Sequence, residues 1–177
     1  MNTNKTLVPG PAWSSVRGHN SVGPMQPSND KSGGLNRLLV MERLYRYGWA
    51  VDERRDDLLA DCFTENAVWD AVSMGVDEIG PFTGREAVVK FLTGFQSVED
   101  DQRRHIFTNV LVDGLTTTSA VVHAYFMLTA SRNAFMTPVT VGPYRVQMLK
   151  QEDVWRIEHM TGGFDSSMGP GHGPGDS

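Results

Sequence analysis

Near residue 100 the period of the apolar residues changes, and that change constrains the fold more than any other feature. Before it, apolar residues recur at helical spacing; after it, they alternate. Leu38, Met41, Leu44, Tyr45, Gly48 and Asp52 follow i, i+3, i+4 and i+7 spacing, a stripe that begins apolar and ends on a carboxylate. A second short helix fits residues 56–63, through Leu58, Leu59 and Cys62, and residues 66–71 read as a short strand. In GPFTGREAVVKFLTGF, Gly80-Pro81 reads as a turn, and Thr83 to Glu86 match a capping box that opens a third helix over 84–96. Period 2 then predicts strands at about 104–112, 118–130, 137–150 and 153–161. Their turns fall at Asp113-Gly114, Ser131-Arg132-Asn133 and Gln151-Glu152-Asp153. Helices followed by a long antiparallel meander define an α+β class with the helices on one face of the sheet. A strongly curved sheet closed by three helices makes a cone with a pocket inside.

Composition locates the ends of this unit. The chain has 177 residues, enough for one domain with its own core. Residues 1–34 and 162–177 together hold 11 of the 18 glycines and 6 of the 9 prolines, with no apolar period. Such segments bury too little apolar surface to offset their ordering entropy. The expected organisation is a disordered tail over 1–34, a folded domain over 35–165 and a Gly/Pro-rich tail over 166–177. Trp13 and His172 lie in these tails.

Charge and cysteine content narrow the partners. The net charge is −5, and no basic cluster exceeds two residues, which argues against nucleic acid. Cys62 is the single cysteine, so an intrachain disulfide framework and a multi-thiolate metal site are excluded; it reads as a small buried hydrophobe. No apolar run approaches the roughly 20 residues needed to span a bilayer. The first residues lack the apolar core of a signal peptide, so the cytoplasm is the expected compartment.

Strand alternation sorts the chemistry-bearing residues. His105, Phe107, Asn109 and Leu111 share one face of their strand, and His123, Tyr125, Met127 and Thr129 share a face of the next. A histidine on a sheet face serves core packing as readily as catalysis, and periodicity does not bring Asp52 to it. His105, His123 and His159 with Asp52 contain no close-spaced ligand pair, so no metal is expected. The methionines at 41, 127, 136, 148 and 160 supply adaptable apolar lining or core filler.

The stretches RYGWAVDERRDDLLADCFTENAVWDAV, GPFTGREAVVKFL, RRHIFTNV and DVWRIEHM resemble the SnoaL-like branch of the NTF2-like (cystatin-like) superfamily. They are most similar to its scytalone dehydratase, bile-acid 7α-dehydratase and hexachlorocyclohexane dehydrochlorinase group. The resemblance covers 35–163 and neither tail. By resemblance, Asp52 and His105 take the places of an Asp–His dyad, Tyr47 that of a polarising phenol and Trp69 that of a pocket tryptophan. Two departures stand out. Ala71 occupies the position of the catalytic aspartate of ketosteroid isomerase and of a second tyrosine in scytalone dehydratase, while Asp70 points to the opposite face. The second histidine of scytalone dehydratase does not fall at His123.

The resemblance implies a cofactor-independent lyase or isomerase acting on a hydrophobic polycyclic, polyketide, terpenoid or steroid-like substrate. An imidazole with an ordinary pKa of about 6.5 can accept a carbon-bound proton. Asp52 would fix its tautomer and stabilise the imidazolium, as in hydrolase triads. Tyr47 or Arg145 would polarise the substrate oxygen. His123, Tyr125, Asn109 and Trp69 are the candidate substrate-binding residues. A SnoaL-like cyclase would use the same groups. A non-catalytic binding or structural subunit, like the β subunit of a ring-hydroxylating dioxygenase, is the reading from a different class. The resemblance also implies a homodimer or homotrimer built through the exposed sheet face.

Overall fold

A computed structural model describes residues 12–16, 20, 22–24, 31–96 and 98–166. The Trp13 side chain and His172 lie outside the described residues. In chain order the elements are α1 (Trp13–Val16), α2 (Lys31–Asp52), α3 (Asp56–Asp61), β1 (Phe63–Ser73) and β2 (Asp77–Thr83). They continue with α4 (Arg85–Thr93), β3 (Gln102–Asp113), β4 (Ser119–Arg132), β5 (Phe135–Gln151) and β6 (Val154–Phe164). The six strands form one curved, unclosed sheet in the order β2-β1-β6-β5-β4-β3, so β2 and β3 are its edges. The architecture is the α+β one expected from the change of period.

Three local expectations are corrected. The sheet is not wholly antiparallel: β1 runs parallel to β6, with Trp69 opposite Met160 and Asp70 opposite Thr161. A strand made before the meander has to return beside its last strand, and alternation along one segment carries no sign of such a distant pairing. Gly80-Pro81 is not a turn but lies within β2, where the pairing with β1 shifts register between Trp69 and Ala71. An edge strand can carry the proline because its missing N–H is not needed there. Nor does the capping box form: Thr83 stays in β2, and Gly84 is the N-cap of α4 with no side-chain cap bond.

The buried face of α2 is Val40, Leu44, Tyr47 and Ala50, while Leu38, expected in the stripe, is 65% exposed. Opposite them the inner sheet face carries Phe63, Phe126, Tyr144, Ile157 and Phe164. Phe126 and Tyr144 stack with centroids 4.2 Å apart, Phe126 meets Phe164 at 5.6 Å, and Tyr47 meets Phe63 edge-on at 5.9 Å. The space inside the cone is therefore filled by rings, where the sequence reading expects a pocket. Each fully buried aromatic contributes about 1.5–3 kcal/mol from area alone, so packing the cone is itself the stabilising arrangement. Cys62 is buried, as its surroundings in the sequence imply.

The chain before α2 is partly seated on the fold. Asn20 is buried and donates through Nδ2 to the main-chain oxygen of Tyr144 at 3.4 Å. Its oxygen pairs with His123 Nδ1 on the outer sheet face. The Gly23 amide also donates to Asp113 Oδ2 at 3.4 Å, and the Gly/Pro-rich composition announces none of these contacts.

Gly142 shows how closely two strands approach. A Cβ there would lie 1.9 Å from the Gly163 carbonyl oxygen, which no relaxation of side chains relieves. Gly34, within α2, has nothing within 4 Å of its Cβ position. Chemical denaturation is expected to show Gly142→Ala losing about 3 kcal/mol or more. Gly34→Ala should gain about 0.5–1 kcal/mol from helix propensity.

Candidate active site

α2 delivers Asp52 to the start of β3 because the helix stops there sharply. Arg54 takes a left-handed φ of 52°, and its amide and that of Arg55 bond back to Val51 and Ala50. These are the two bonds of a Schellman ending. The Gln102 side chain donates to the Asp52 main-chain oxygen at 3.0 Å, and the Arg54 guanidinium holds the carbonyls of Gln96 and Glu99, each at 2.9 Å. Both ends of the α2–β3 crossing are thereby fixed.

At that crossing Asp52 and His105 are bonded twice. His105 Nδ1 lies 2.6 Å from Asp52 Oδ1, and the His105 amide donates to Oδ2 at 2.8 Å. The two side chains are only 9% and 6% exposed. A carboxylate accepts, so Nδ1 carries the hydrogen and Nε2 is left as the basic nitrogen. Among the described residues Nε2 has no hydrogen-bond partner. The imidazole sits between rings: Phe107 stacks at 6.1 Å and 24°, Phe126 lies at 6.4 Å, and Tyr47 meets it edge-on at 6.0 Å. Gly48 lets the helix come this close, since a Cβ would lie 2.7 Å from Phe107 Cε2 and 3.3 Å from His105 Cβ.

The pair opens onto a cleft of about 510 Å³ at the free edge of β3. Tyr45, Trp49, Ile106, Phe107 and Met136 supply its apolar walls, and Arg104, Thr129 and Ser131 its further polar groups. None of Phe63, Phe126, Tyr144 and Phe164, whose rings fill the cone, lines the cleft. A volume of this size is within the range of small-molecule sites.

Tyr47 and Trp69 lie behind the pair, inside the cone, and do not line the cleft. Burial pushes the Tyr47 phenol far above its ordinary value; the Tyr144 hydroxyl and the Trp69 N–H, both directed at it, act against that shift. Tyr144 is raised in the same way by burial and by Tyr47. Both phenols are therefore neutral. The Trp69 N–H is fully buried and closes no hydrogen bond of normal geometry, although it faces Tyr47. Tyr144 is the buried phenol that the sequence reading does not single out. It follows the same alternation as Val146 and Met148, and that was the available signal.

The remaining candidates are on the other side of the sheet. Asn109 has a φ of 52° at a bulge where the β3–β4 register shifts between Thr108 and Leu111. It is exposed, and alternation inverts beyond it, so Val110 and Val112 turn inward instead of Leu111. Tyr125 is 55% exposed on the outer face, opposite in orientation to Phe126. Arg145 pairs in register with His123 on that same outer face and donates to the Gln147 side-chain oxygen, with that amide turned to meet it. It cannot polarise a substrate at His105. His123 is buried under Asn20, with Nε2 3.6 Å from Asp113. His159, on the outer face, bonds Asp70 at 2.6 Å. Among the described residues no three His, Cys, Asp or Glu side chains gather as metal ligands, and no helix is long and apolar enough to cross a membrane.

An α+β cone with an Asp–His pair at the helix–sheet crossing defines a protein of the cystatin-like, NTF2-like fold. The chain belongs to the SnoaL-like domain family, which it matches over residues 35–161. Solved structures agree on the fold. A Catenulispora acidiphila protein, in complex with S-DNPA, is 26% identical with a TM-score of 0.64, over 75% of this chain and 95% of that one. A candidate scytalone dehydratase from Novosphingobium aromaticivorans is 19% identical at a TM-score of 0.61, over 75% and 86%. The β subunit of a candidate aromatic-ring-hydroxylating dioxygenase from the same organism is 13% identical at 0.65, over 77% and 94%. No curated protein sequence matches this chain.

One pH dependence follows from His123. Burial pushes its imidazole below the ordinary value; Asp113 opposes this and Arg145 adds to it. The unfolded chain therefore binds the proton more tightly than the folded one. Stability from this site is full above the unfolded pKa of about 6.5 and is lost as pH falls through it toward the folded value. Thermal unfolding between about pH 7.5 and pH 5.5 should show that loss, and His123→Gln should flatten it.

Proposed function

We propose that the protein is a cofactor-independent lyase or isomerase of the dehydratase kind, acting on a hydrophobic small molecule with an acidic C–H beside a carbonyl. The observation that carries this is the doubly bonded Asp52–His105 pair on the wall of an open, mostly apolar cleft. A complex of the 26% identical neighbour with S-DNPA supports ligand binding by this kind of domain.

His105 Nε2 takes the proton, and the C–H electron pair moves toward the carbonyl to give an enolate. Asp52 keeps Nδ1 protonated and stabilises the imidazolium that forms. For isomerisation the imidazolium returns the proton to another carbon. For dehydration the enolate collapses, the carbon–oxygen bond to a β-hydroxyl breaks, and the imidazolium proton leaves with it as water. Arg104, Thr129 and Ser131 are the donors in the cleft for the substrate oxygen. Tyr47 acts on the imidazole from behind, as a positioning residue, and does not meet the substrate.

A non-catalytic binding or subunit role is the second reading, and the ring-filled cone favours it. For either reading we place self-association on the outer sheet face, where Tyr125, Leu111 and Val141 are exposed apolar residues.

Deuterium exchange at C2 of 1-tetralone, followed by NMR in D₂O, separates the two readings. The wild-type protein is expected to catalyse exchange, with His105→Ala and Asp52→Asn each slower by about 10²–10⁴-fold. Exchange that is absent, or unaffected by both substitutions, removes the enzyme reading and leaves the binding role.

A further inference from the structure

Trp49 is 68% exposed, yet it stands one helical turn from Asp52 on the rim of the cleft. A large indole left open to water beside an acid–base pair is not explained by packing, and neither the fold nor the dyad needs it. Tyr45, Trp49 and Asp52 lie at i, i+4 and i+7 of α2, so their side chains form one row along the helix. Tyr45 is continued across the cleft by Phe107, 6.5 Å away and tilted by 39°, and Phe107 stacks on His105. Tyr45, Phe107 and His105 thus make an unbroken aromatic floor, with Trp49 as its outer end. Ile106 and Met136 close the sides.

Because the cone interior is occupied by its own rings, a ligand that reaches His105 has this row to lie against. We infer that Trp49 and Tyr45 form a stacking wall that selects planar aromatic or conjugated ketones over puckered, saturated ones, and holds them outside the cone with the acidic C–H toward His105. A flat ring gains from stacking on both aromatic side chains; a chair-shaped ring of the same carbon skeleton touches them only at a few hydrogens. The inference rests on the proposed acid–base role of His105 only for which edge of the ligand faces inward.

Binding of 1-tetralone and of trans-1-decalone, measured by isothermal titration calorimetry on the full chain, tests the wall. The two ketones share a bicyclic skeleton and a carbonyl position but differ in planarity. Wild type should bind 1-tetralone about three- to tenfold more tightly. Trp49→Ala should remove that preference, and Trp49→Phe, which keeps a ring, should retain most of it. Trp49 is exposed, so neither change should move the thermal midpoint. His105→Ala should keep the preference while losing deuterium exchange. Equal affinity for the two ketones, no binding of either, or a preference that survives Trp49→Ala would overturn the wall. A preference that follows Trp49 while exchange ignores His105 would keep the wall and overturn the enzyme reading.

Discussion

The site depends on one carboxylate held between two parts of the chain far apart in sequence. Asp52 ends a helix and His105 lies near the start of a strand, and the two oxygens of Asp52 take one bond from the main chain of His105 and one from its ring. Such a joint fixes the imidazole in both position and tautomer, because the strand cannot slide without breaking the first bond or the ring turn without breaking the second. Everything nearby keeps that geometry. The Schellman ending and the Gln102 bond fix the last turn of α2, and Gly48 sets the depth at which the helix rests on Phe107.

The packing of the cone decides which side of this joint stays open. Phe63, Phe126, Tyr144, Phe164, Tyr47 and Trp69 occupy the interior, and their bulk rather than any charge closes it. The two phenols there are buried and neutral, so they add no charge near the imidazole. The His105 surface that remains open faces the edge of the sheet, where the walls are exposed aromatic and aliphatic groups. The core therefore backs an open cleft at the rim rather than enclosing one.

The period of the apolar residues made much of the fold legible. The change from helical to alternating spacing gave the α+β class and each long strand to within a few residues, because one-sided burial imposes period 2 on a half-exposed strand. What escaped were features set by contacts distant in sequence. The parallel β1–β6 pairing leaves no local trace, and the β3 bulge at Asn109 inverted every side chain beyond it. Asp52 and His105 could be singled out by resemblance, but only the fold shows them 2.6 Å apart. Trp49 stands outside the helical stripe because an exposed residue does not contribute to an amphipathic pattern. It takes on meaning only once a cleft is seen beside it.

The seating of Asn20 on His123 has a consequence for assembly. That contact puts Asn20, from the chain before α2, on the outer sheet face, the surface on which self-association is proposed above. A tethered segment is present at high effective concentration wherever its linker can reach, so it competes with any free partner without needing high affinity of its own. If copies associate through that face as proposed, association is an exchange: a newcomer must either displace the covering residue or accept it as part of the interface. The apparent strength of self-association would report the difference between two contacts rather than the strength of either one.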